Sequence, residues 1–147
     1  MSREPTPEEW EVFAEYGWTM LSVQEFEFSL SAAVESKIED LDTNKSTSID
    51  DLFLRIGKLF RLTAGQMKMK LAKESNMPEE LLEDVVEAIA LRNVLAHEFL
   101  RRRLSTWPTA PPNYQEIVAE LKNFRAAFKA LERRIFAWLR AEGAGDI

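Results

Sequence analysis

The chain has 147 residues, no cysteine, one histidine and a net charge of −6, with 46% hydrophobic and 30% charged residues. That is enough chain for one domain, residues 1–147, with a sizeable core. It excludes disulfides, thiolate metal sites and cysteine nucleophiles. No run approaches the roughly 18–20 apolar residues of a membrane span, and the N-terminal Met-Ser-Arg-Glu-Pro lacks the apolar core of a signal peptide. A soluble protein of the cytoplasm, with no membrane partner, is therefore expected. The charge is unevenly spread: residues 1–51 hold 3 Lys/Arg against 13 Asp/Glu, and residues 52–147 hold 16 against 12. A polyanionic partner would have to be met by a local basic patch in the second part.

The first helix is announced by Thr6-Pro7-Glu8-Glu9. Thr6 suits the N-cap with Glu9 closing a capping box, and Pro7 suits the first helical position. The pattern continues to about Leu41, with Phe13, Tyr16, Met20, Val23, Leu30, Val34 and Ile38 on one broad side. Phe26 and Phe28 point to different faces. Gly17 reads as a place where a neighbouring helix comes close.

Asp42 to Ser48 is a polar connection, and Ser48 with Asp51 resembles a helix start leading into Leu52, Phe53, Ile56, Leu59 and Phe60. Thr63-Ala64-Gly65-Gln66 repeats the capping signal, so a bend is expected near Thr63. The piece that follows carries Lys68, Lys70 and Lys73 as a basic face. A third long helix spans about Pro78 to Leu104, with Asn76 or Met77 near its cap. Pro108, Pro111 and Pro112 forbid helix across Ser105–Asn113. Asn113 then caps with Glu116, and Ile117, Leu121, Phe124, Phe128, Leu131, Ile135 and Trp138 recur every three or four residues until Gly143 stops the helix. No stretch alternates with the period of a strand. The chain reads as all-α, an up-and-down bundle of four to five helices. Trp10, Trp18, Trp107 and Trp138 read as core or interface residues.

The third helix carries the chemistry. Its row Leu82, Val86, Ile89, Asn93, His97, Leu100, Leu104 faces either the core or a partner, with two polar side chains in its middle. Burying them unpartnered would cost on the order of 1–3 kcal/mol each, which marks the spot as a site. An imidazole titrates near neutrality and moves protons, and a guanidinium is a permanent two-pronged phosphate ligand. Arg92, Asn93 and His97 are thus a candidate catalytic set, with Asn93 holding the imidazole or a phosphate oxygen. Arg101, Arg102 and Arg103 are candidate RNA contacts. The plainer reading pairs Arg92 with Glu87 or Glu98 and leaves the arginine run as a solvated helix end.

Arg92-Asn93-Val94-Leu95-Ala96-His97 resembles the Arg-x4-His signature of the HEPN superfamily (higher eukaryotes and prokaryotes nucleotide-binding), including the polar residue after the arginine. The resemblance implies a small helical bundle that dimerises through the motif helix. The activity it implies is that of a metal-independent endoribonuclease leaving a 2′,3′-cyclic phosphate and a 5′-hydroxyl. It implies RNA as substrate, no cofactor, a second copy as partner, and an antitoxin or regulatory protein in toxin–antitoxin or antiphage systems. Arg92 and His97 lie about 140° apart on a regular helix, and a two-fold pairing of the helix is what brings them to one cleft. The alternative is a catalytically idle HEPN-like dimer that binds nucleotide, RNA or protein. Phe99 stands where toxins of this type silenced by a nucleotidyltransferase carry a modified tyrosine, so that route of silencing is closed. Glu98 adds negative charge beside the site.

Overall fold

The computed structural model describes residues 3–38, 64–104 and 112–141. Among them are five helices and no strand: α1 Pro7–Ile38, α2 Ala64–Glu74, α3 Glu79–His97, α4 Phe99–Leu104 and α5 Tyr114–Leu139. The architecture is the all-α bundle expected. No described helix is long and apolar enough to cross a membrane. The expected helix over Leu52–Phe60, the bend at Thr63, the proline-rich loop with Trp107 and the stop at Gly143 lie outside the described residues. So do the side chains of Val34 and Ile38.

The caps expected at Thr6 and Asn113 form. The Thr6 hydroxyl accepts from the Glu9 N–H at 3.2 Å, and the Glu9 carboxylate accepts from the Thr6 N–H at 3.3 Å. Two orphan donors of the first turn are thereby satisfied. Arg3 adds an ion pair to Glu9 at 2.7 Å, which lowers the pKa of the Glu9 carboxyl. At the start of α5, Asn113 accepts from the Glu116 N–H at 3.1 Å. Helix α3 opens instead on Pro78, with no side-chain cap bond.

The core is built where α1 and α5 pack side by side. Thr19 lies against Leu121, Phe26 against Phe128 and Ser29 against Glu132, so both helices run in the same direction. The α5 row is buried as its spacing required: Ile117, Leu121, Phe128, Leu131, Ile135 and Trp138. Helix α3 runs against α5. Asp84 meets Arg134 at 2.5 Å near one end, and Phe99 meets Phe124 edge-on at 5.8 Å towards the other.

One expectation is corrected here. Gly17 does not admit a neighbouring helix among the described residues: it is exposed, and a Cβ there would meet nothing within 4 Å. Of the tryptophans read as core or interface, Trp138 is buried, while Trp10 and Trp18 are exposed and so lie outside the core of this chain.

Candidate functional site

The long helix expected from Pro78 to Leu104 breaks at Glu98, whose φ of −130° departs from helical geometry. The Tyr16 hydroxyl, from α1, donates to the Leu95 carbonyl at 2.8 Å. In an unbroken helix that carbonyl serves the Phe99 N–H. A side chain inserted into the hydrogen-bond ladder is a recognised cause of a kink, and it accounts for the break one residue beyond His97. The ladder resumes with the Arg102 N–H on the Glu98 carbonyl at 2.8 Å.

The row expected to face the core or a partner leaves the core after Ile89. Leu82 is buried and Val86 and Ile89 pack against the core, but Asn93 and His97 are exposed. The true inward row of α3 is Leu81, Val85, Ala88, Arg92 and Leu95, continuing to Phe99. Its steps alternate four and three residues. The polar interruption of the core is therefore Arg92, and Asn93 and His97 carry no burial cost.

Arg92 is half-buried and held by two hydrogen bonds. Its Nε donates to the Glu27 carboxylate on α1, and its Nη1 donates to Asn93 Oδ1 at 2.9 Å. The guanidinium plane is thus fixed between two helices with one edge toward solvent. The pairing expected with Glu87 or Glu98 is replaced by Glu27, whose side chain is 16% exposed. Sequence reading passed over Glu27, although a signal exists. It sits in phase with Tyr16, Met20, Val23 and Leu30, a carboxylate set in an apolar row.

His97 ends α3, where a cation is favoured by the helix dipole. No hydrogen bond or ion pair holds it among the described residues, and none joins it to Arg92 or Asn93. The arginine run divides. Arg102 pairs with Glu98 at 2.6 Å. Arg103 is bound to Glu120 on α5, with Glu116 at 4.0 Å. Arg101 is exposed, with no ion pair among the described residues. Glu98 thus spends its charge on Arg102, and Phe99 is a core residue, 5% exposed.

A groove of about 360 Å³ lies between α3 and α5, walled by Ala88, Leu91, Ala127 and Leu131 and bridged by Asp84 and Arg134. It contains none of Arg92, Asn93 or His97. No protein-family model, no curated protein and no solved structure matches the chain.

Proposed function

We propose that this chain is a homodimeric, metal-independent endoribonuclease of HEPN type, with Arg92, Asn93 and His97 as its catalytic set. The observation that carries the reading is a guanidinium locked by Glu27 and Asn93 at the surface, on the same short stretch as an exposed, unengaged imidazole. A metal-free cleavage needs these two functions and a 2′-hydroxyl from the substrate. The imidazole of His97 takes the 2′-hydroxyl proton as the 2′-oxygen bonds to phosphorus. The bond from phosphorus to the 5′-oxygen breaks, and the leaving oxygen takes a proton from water. Arg92 holds the phosphoryl oxygens on which charge grows. The two products carry a 2′,3′-cyclic phosphate and a 5′-hydroxyl.

Because Arg92 and His97 diverge within one chain, two copies of α3 face each other to supply a guanidinium and an imidazole to one cleft. Arg101 extends that cleft as a phosphate contact, with Arg102 and Arg103 reaching it only on release from Glu98 and Glu120. A toxin or antiphage role, held in check by an antitoxin or regulatory protein, fits such an activity in the cytoplasm.

The second reading is an idle HEPN-like dimer that binds nucleotide, RNA or protein. It is favoured by the engagement of Arg92, Arg102 and Arg103 with carboxylates. Incubation of RNA with the protein in EDTA separates the two. The nuclease reading requires cleavage that His97→Ala and Arg92→Ala both abolish with folding intact. Binding without turnover selects the idle dimer, and cleavage that survives His97→Ala rejects the assignment.

A further inference from the structure

Helix α1 turns a second apolar row to solvent. Trp10, Ala14, Gly17, Leu21, Gln24 and Phe28 are all exposed, with Trp18 beside Leu21. Trp10 and Trp18 are 59% and 58% exposed, and Leu21 and Phe28 44% and 48%. Single exposed hydrophobes need no account. Four large ones on one face, over about 27 Å of helix, form a patch of the kind that marks an interaction surface.

The steps along the row are four, three, four, three and four residues, the spacing of a face that packs lengthwise on another helix. The same steps are read from either end. An antiparallel copy laid along the row therefore matches it position for position: Trp10 with Phe28, Ala14 with Gln24, Gly17 with Leu21. Every small residue meets a larger one. Open space above Gly17 receives Leu21 of the other copy, and this happens twice about the two-fold. Such self-complementarity is what an isologous contact demands, and a different partner would not require it.

We propose that a second copy of this chain docks antiparallel along α1, centred on the Gly17–Leu21 pair and closed at each end by Trp10 against Phe28. The exposed parts of three aromatic side chains and Leu21 offer on the order of 400 Å² per copy. With the flanks of the helix, two copies bury about 1,000 Å², the lower bound for a specific interface. Exposed Glu11 and Glu25 flank the row in both copies.

Lys122, Lys129 and Arg133 stand exposed on α5, and Glu25 of α1 shares a shallow concavity with Lys129, Arg133 and Phe136. Cations beside tryptophans also suit single-stranded nucleic acid. The glutamates bordering the aromatic row oppose that occupant, and the symmetric spacing gives it no role. The row contains none of Arg92, Asn93 or His97, so the contact stands independently of the nuclease reading. If α3 also pairs, the two contacts use separate surfaces and together join more than two chains.

The absence of native cysteine makes cross-linking a clean test. A chain carrying both Ala14→Cys and Gln24→Cys, which keeps all four large hydrophobes of the face, forms disulfide-linked dimers under mild oxidation. The single variants do not, because in this register each residue lies about 15 Å from its twin, far beyond the roughly 6 Å between Cα atoms that a disulfide spans. Adding Leu21→Glu to the double variant abolishes the link. All these positions are exposed, and helical content by circular dichroism confirms folding. No link in the double variant, links of equal yield in a single variant, or links that persist with Leu21→Glu overturn the proposal. So does an RNA oligomer that quenches Trp10 and Trp18 fluorescence in a chain that forms no links.

Discussion

Arg92 shows how a single side chain serves the fold and the site together. Its stem lies in the inward row of α3, and its Nε is bonded to Glu27 of α1. Removing the guanidinium leaves a largely covered carboxylate without its cation, so Arg92→Ala is expected to lose about 1–3 kcal/mol of stability in urea unfolding. Glu27→Gln keeps an oxygen that can accept from Nε but removes the charge that competes with phosphate. The variant is predicted to lower the KM for RNA several-fold with kcat little changed. A raised KM would show instead that the carboxylate is needed to aim the guanidinium. The stretch Arg92–His97 stood out in the sequence because its pattern is local. Glu27 was legible as an inward-facing carboxylate from its phase, but nothing local says which helix it will meet. The inward placement of Arg92 escaped for a related reason. A row drawn through Asn93 and a row drawn through Arg92 differ by about 100°, and only packing against α1 and α5 selects between them.

At the level of the helix, the break at Glu98 depends on Tyr16. Burial raises the pKa of the Tyr16 phenol above its usual value, because ionisation would put a charge in a partly covered place. A phenol that holds its proton longer in the folded state loses stability as pH rises past the unfolded value of about 10. Tyr16→Phe removes the hydrogen bond to the Leu95 carbonyl. It is predicted to cost about 1 kcal/mol at pH 8 and to reduce the additional loss of stability between pH 10 and pH 11, measured by urea unfolding at each pH. An unchanged alkaline loss would place its source elsewhere. Start signals were read correctly because they are short-range: Thr6 with Glu9, and Asn113 with Glu116, need only three residues each. The kink was not legible, since its cause is a side chain 79 residues away. Gly17 was misjudged on similar grounds. Its spacing suits a close helix approach, but no other described helix of the same chain takes the place.

Across the whole molecule, stability is concentrated where α1 and α5 run side by side. Phe128 is 1% exposed and its ring centre lies 5.4 Å from that of Phe26. Phe128→Ala is expected to cost about 3–5 kcal/mol, read as a lowered urea midpoint with a similar slope. A loss under 1 kcal/mol would mean that the pair is not the centre of the fold. Helical periodicity conveyed this core well, since almost every apolar residue of α5 at the right phase is buried. It conveyed assembly poorly, because a row of hydrophobes has the same spacing whether it meets its own chain or another. The proposed nuclease needs α3 from two chains to complete one cleft, and mixing variants tests that most directly. Arg92→Ala and His97→Ala chains, each inactive alone, are unfolded together, refolded and assayed on RNA in EDTA. Mixed dimers keep one guanidinium and one imidazole on opposite chains, and a substantial fraction of wild-type cleavage is predicted to return. A mixture as silent as its parents, alongside an active wild type, would contradict a site shared between chains.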